Sequence, residues 1–254
     1  MRLDQRTIPA REKLMIVGLY LSKFDSRGLR SMGFGSFREA FNVMGHALGE
    51  RPASIKNYRD EFDPHFSNPR RGWHKRPTRE PCREILAEYG DLDLDAFTAL
   101  VSTFAGVASM PDQPDMEQPD LVEPRSTPAS RMITGMAAEE YFRCVYASIP
   151  LFVGRRLEDT TMVGCGHDFR LHSPGHDDFL AVEVKGLRGR TGSISFTTRE
   201  YEMARSMRER FILFVVKNFM EAPTHEIIAN PAGGALSFAK REHVVVSTTW
   251  TTSI

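Results

Sequence analysis

The 254-residue chain is 41% hydrophobic and 26% charged, a mixture that excludes wholesale disorder and fibrous repeats and leaves room for one large or two modest domains. Lys plus Arg equals Asp plus Glu at 33 each, so no global field points to nucleic acid or membrane. Apolar runs such as Phe211 to Val216 fall far short of the roughly 18 residues of a membrane span. The start, MRLDQRTIPAREK, lacks the apolar stretch of a signal peptide, and Cys82, Cys144 and Cys165 form no CxxC pair. A reduced, cytoplasmic setting is therefore expected.

In chain order, Ala10 to Phe24 carries Leu14, Val17, Gly18 and Leu21 at helical spacing. Ser36 to Leu48 predicts a second helix, with Phe37, Ala40, Phe41, Met44 and Leu48 on one face and Gly49 as its C-terminal stop. Pro52 then opens PASIKNYRDEF, with Ile55, Tyr58 and Phe62 inward. Thr78 to Tyr89 and Leu94 to Phe104 complete a helical region. The segment Gly106 to Ser130 holds five prolines and reads as an extended acidic linker. The predicted division is residues 1–106, helical; 107–129, linker; 130–254, a second domain. That second domain opens with a helix over Thr134 to Tyr146. Strands follow at Leu151 to Val153, His167 to His172, Phe179 to Lys185 and Ser193 to Thr197, then a helix over Thr198 to Arg210 and strands at Phe211 to Lys217 and His243 to Thr248. This order predicts a mixed sheet flanked by helices, α/β or α+β, behind an all-α N-terminal domain.

The chemistry concentrates in GCGHDFRLHSPGHDDFLAVEVKGLRGRTGSISFTTREYEMA. Asp168 opens one strand. Glu183 and Lys185 lie two apart on the next, so they share a face while Val182 and Val184 point into the core. An acid and a lysine on one side of an apolar strand are costly without partners, and Asp168 can supply one. A plain structural ion pair among the three is the bland alternative. His167, His172 and His176 with Asp177 and Asp178 surround a Ser-Pro-Gly turn and read as solvated turn residues, since no Cys pair completes a zinc set.

The pattern Asp168, then Glu183-Val184-Lys185, preceded by a helix bearing Glu139 or Glu140 (Glu139 fits the spacing better), resembles the PD-(D/E)XK, restriction-endonuclease-like nuclease superfamily. The run EVKG…GRTGSISFTTREYEMA…FILFVVKN is similar to a branch found in restriction and phage-defence proteins, with its Gly-rich turn and Thr-capped helix bearing Glu. The likeness covers roughly residues 130 to 220. His167 stands where an aromatic residue often precedes the first acid, and the motif's proline is missing. The resemblance implies a restriction-endonuclease-like mixed sheet. It implies Mg²⁺, with Mn²⁺ as a substitute, held by Asp168, Glu183 and the Val184 carbonyl. It also implies a catalytic set of Asp168, Glu183, Lys185 and Glu139, and hydrolysis leaving 5′-phosphate and 3′-hydroxyl ends. Arg188 and Arg190 leave the active strand and are expected to grip phosphate oxygens.

FREAFNVMGHALGERPASIKNYRDEF has the shape of a helix-turn-helix, or of an ordinary helical hairpin. In the first case Ser54, Lys56, Asn57 and Arg59 face DNA. Charge favours it. From Arg51 to Arg83 nine basic residues face four acids, a net of +5, whereas Glu84 to Pro124 holds ten acids and no Lys or Arg. NPRRGWHKRPTR places Arg70, Arg71, Lys75 and Arg76 around Trp73, suited to backbone contact and stacking. The expected protein is a type II restriction-type endonuclease of double-stranded DNA, a homodimer with a DNA methyltransferase encoded nearby and no membrane partner. Modification-dependent or structure-specific cleavage are variants of that reading. A helix-turn-helix regulator with a repurposed nuclease fold is the rival from another class.

Overall fold

A computed structural model describes residues 8–104, 127–234, 236–242, 250 and 252. Helix α1 spans Ala10–Ser31 and breaks its helical path at Asp25, where φ is 48°. Burying Leu14, Ile16, Leu19, Tyr20 and Leu21, it is covered on most sides and forms the axis of the helical half. Gly18 sets its approach to α3 (Pro52–Phe62), since a Cβ there would stand 2.6 Å from the Cβ of Tyr58. Helix α2 (Phe37–Ala47) starts at Ser36, whose side chain accepts from the Glu39 N–H, and ends before Gly49 at φ 67°. Pro52 at the head of α3 needs no amide partner. Helices α4 (Glu80–Tyr89) and α5 (Leu94–Thr103, capped by Asp93) pack against α1.

Helix α6 (Pro128–Val145) opens on a reciprocal Thr127–Ser130 cap and leads into the sheet. Strands β1 (Arg156–Asp159), β2 (Phe169–His172), β3 (Phe179–Gly186), β4 (Phe211–Lys217) and β5 (Thr224–Ala229) lie side by side in sequence order. Every pair is antiparallel except β3 and β4, which are parallel and joined through α7 (Thr198–Met207). The molecule is thus α+β, with a mixed sheet behind N-terminal helices. One buried hydrophobic cluster runs from α1 through α6 to β4, and α2 packs on α6.

Several expected elements differ. Leu151 to Val153 is a turn, because Ile149 and Phe152, three apart, go inward and leave Leu151 and Val153 exposed. Ser193 to Thr197 is irregular chain leading into α7 and not a strand. In their place stand two strands the alternation of apolar residues did not announce. β1 reads RLED and β5 reads THEIIA, edge strands with few residues buried. The expected strand at His243 to Thr248, and most of the proline-rich segment, lie outside the described residues.

Candidate active site

The parallel pair β3–β4 is the centre of the sheet, and its flanks decide which side chains meet. Even-numbered Val182 and Val184 of β3 enter the core, whereas Ala181, Glu183 and Lys185 face the opposite side. Asp168 stands just before β2, its N–H bonded to Val182 O at 3.0 Å. Its carboxylate Oδ2 accepts the Val184 N–H at 2.8 Å, locking the acid beside the acid-x-Lys segment. Lys185 Nζ lies 2.6 Å from Glu183 Oε1 and 2.9 Å from Glu200 Oε2. Glu200 is fixed in the first turn of α7, where the Thr197 and Glu200 side chains and amides cap one another reciprocally.

Asp168, Glu183 and Lys185 are therefore brought together as the sequence predicts. Glu139 joins them from α6. Burial, and then the charge of Asp168, push its carboxyl up to about 7. Glu140 turns the other way, paired with Arg143 at 2.9 Å and lying against Gly49, just beyond α2. Burial raises Asp168 to about 6 against the Val184 N–H and the Lys185 charge. Glu183 is also raised, by burial first, against the lowering charge of Lys185 and with Asp168 and Glu200 adding repulsion. Lys185 is held ionised by Glu183 and Glu200 in spite of burial. The cluster thus gathers more buried negative charge than one ammonium balances.

Three residues beyond the sequence-derived set complete the surroundings. Glu200 shares Lys185. Arg143 bridges Glu140 to Asp159, with Nη2–Oδ2 at 2.8 Å, lies 3.7 Å from Glu139, and covers the Phe169 ring. The Thr-Thr-Arg-Glu start of α7 signals Glu200 through its capping pattern. Nothing local announces that Arg143 and Asp159, sixteen residues apart, meet.

An oxygen-rich, buried, mutually repelling pair of carboxylates suits a hard divalent cation. One oxygen of each is engaged, Asp168 Oδ2 by Val184 and Glu183 Oε1 by Lys185, and the other is the donor a cation would take. Among the described residues no cluster of three or more His, Cys, Asp or Glu side chains forms a ready-made metal cage. Asp168 and Glu183 are the carboxylates that could hold such a cation, with the Val184 carbonyl as the further oxygen that the resemblance implies. The histidine-rich turn forms no such cage either. His172 pairs with Glu158 at 2.6 Å. His167 is buried rather than solvated, which drives its pKa down to about 4.

The expected DNA-facing residues divide. Ser54, Lys56 and Asn57 lie on the outer side of α3, Lys56 bonded to Asp60 at 2.7 Å. Arg59 does not: it is 7% exposed, bonded to Asp60, and lies over the rings of Phe37 and Phe41. Position 59 falls four after Ile55 and three before Phe62, on the inward stripe. Arg70 is likewise taken up by Asp63 and Asp25. Arg188 is clamped by buried Glu39 of α2, with Nη2–Oε2 at 3.0 Å. Trp73 carries the Arg76 guanidinium at 3.5 Å over its ring. Arg71, Lys75 and Arg76 are exposed, and none of them forms an ion pair among the described residues. Arg190 stays at the surface, paired with exposed Glu221.

Residues 138–228, from the middle of α6 into β5, match the family model described as Protein NO VEIN, C-terminal. The match spans less than half of the chain, yet contains Glu139, Asp168, Glu183, Lys185 and Glu200. No curated protein and no solved structure matches the chain. Among the described residues no helix is long and apolar enough to cross a membrane.

Proposed function

We propose that this chain is a divalent-metal-dependent endonuclease of double-stranded DNA, of the restriction type and with a PD-(D/E)XK centre. The observation that carries the reading is the meeting of Asp168, Glu183 and Lys185 at one place on the sheet, with Glu139 from the preceding helix. A structural ion pair needs only Glu183 and Lys185. Adding Asp168 and Glu139, each raised by burial, costs stability unless their charge is used. A cation held by Asp168, Glu183 and the Val184 carbonyl supplies charge stabilisation at a phosphate and a more acidic water. Lys185 keeps its proton between Glu183 and Glu200 and so serves as a cation that orients the attacking water or the phosphate. Glu200 aims that ammonium, and the Val184 N–H aims Asp168.

Contact with the duplex falls to Ser54, Lys56 and Asn57 of α3 and to the free cations Arg71, Lys75 and Arg76. One such centre cuts one strand, so double-strand cleavage calls for a homodimer, and a host methyltransferase is the expected partner. The test is incubation in Mg²⁺ with unmodified, cytosine-methylated and adenine-methylated duplexes, single strands and RNA. Discrete duplex fragments that disappear in EDTA are expected. Duplex binding without cleavage of any substrate would favour a DNA-binding regulator instead.

A further inference from the structure

The loop from Thr160 to His167, between β1 and β2, holds an apolar tip in water on a rigid frame. Met162 is 97% exposed and Val163 66%. The base of the loop is closed by the Thr160 N–H donating to Asp168 O at 2.8 Å, and by the buried Thr160 hydroxyl donating to His167 O at 3.1 Å. The Val163 N–H donates back to Thr160 O at 2.9 Å and sets the tip as a turn. On the other side Arg199 donates to Gly164 O. Gly166, at φ 90°, packs so closely on α7 that a Cβ would stand 2.9 Å from Arg199 O.

Single exposed hydrophobics are ordinary, and what gives this one meaning is its position. The loop runs directly into Asp168. Arg199, which holds the loop, adjoins Glu200, which holds Lys185. Met162 stands two positions after Thr160, the partner of Asp168, a reach of at most about 7 Å. A duplex seated on the carboxylates brings its minor groove, about 6 Å wide, within reach of the tip. Phosphates offer a thioether nothing. The apolar surfaces a duplex presents are base faces and sugar edges, which wedging side chains reach through the minor groove. Methionine, long, unbranched and polarisable, suits that insertion.

We propose that Met162, backed by Val163, is a wedge that enters the minor groove and unstacks one base step beside the phosphate bound at Asp168 and Glu183. This rests on the nuclease reading above. The test uses the full chain and duplexes carrying 2-aminopurine at successive positions, with Ca²⁺ in place of Mg²⁺, and follows fluorescence and anisotropy together. One position should brighten by about fivefold on saturation. Met162→Ala should abolish the brightening while weakening duplex affinity less than about tenfold, and Met162→Leu should retain it. A bound duplex that brightens nowhere, or brightening that survives Met162→Ala, overturns the wedge and leaves the nuclease reading standing if the wild type still cleaves in Mg²⁺. Absence of duplex binding overturns both. Sedimentation showing a dimer that Met162→Ser disperses, with no brightening, would make the tip a contact between copies of the chain and overturn the wedge as well.

Discussion

Asp168, Glu139 and Glu183 share one physical situation: each is a carboxyl that folding makes harder to ionise. Glu139 rises from 4.5 to about 7. A raised folded-state pKa means that the native state binds the proton more tightly than the unfolded chain. Stability is then fullest below about pH 4.5 and is lost as pH climbs towards about 7. His167 runs the other way, since its lowered pKa costs stability as pH falls below 6.5. A difference measurement removes it. In EDTA, Glu139→Gln should stabilise the protein more at pH 7.5 than at pH 4.5, by on the order of 1–3 kcal/mol in urea unfolding. The same increment at both pH values would mean that Glu139 feels no such field. At this scale the sequence was readable where chemistry and periodicity coincide: Asp168, Glu183 and Lys185 follow from an acid-x-Lys triplet on a strand. Arg59 departs from what its charge suggests: a cation is expected in water, yet position 59 falls on the helical stripe of Ile55, Tyr58 and Phe62 and is buried. Its guanidinium lies over the rings of Phe37 and Phe41 and pairs with Asp60.

Among elements, α2 has the most consequential contacts. It forms the first half of the helix-turn-helix-like pair, yet it also grips the part of the chain that carries the sheet. Asn42 donates to the Phe219 and Glu221 carbonyls at 2.8 and 3.1 Å, and Glu39 holds Arg188 on the loop leaving Lys185. Glu39 is fully buried and also accepts the Gly35 N–H at 2.7 Å. Removing it strands a buried guanidinium, so Glu39→Ala should cost about 3–5 kcal/mol in urea unfolding, and adding Arg188→Met should restore at least half of that. A loss under about 1 kcal/mol would show that the clamp does not hold the two halves. No local pattern reveals such a pair, because its members are 149 residues apart. The helices were legible from 3.6-residue spacing and from caps such as Ser36, Asp93 and Thr197. The edge strands β1 and β5 were not, since an edge buries too little for period-two alternation to show.

For the whole molecule, the zero net charge conceals a basic surface in the first half and a run of acids from Glu84 to Pro124. Structure narrows the basic surface: Arg59, Arg70 and Arg188 are spent on acids of the chain itself, leaving Arg71, Lys75, Arg76 and the outer side of α3 as the exposed groups that the proposed function would use. The central claim is that Asp168, Glu183 and Lys185 hydrolyse DNA, and single-turnover cleavage of a supercoiled plasmid in Mg²⁺ tests it most directly. Wild type should convert the plasmid to discrete products, and Lys185→Ala, with duplex affinity retained, should slow cleavage by about 10³-fold or more. Equal rates for the two proteins, or no cleavage by either while both bind the plasmid, would contradict it.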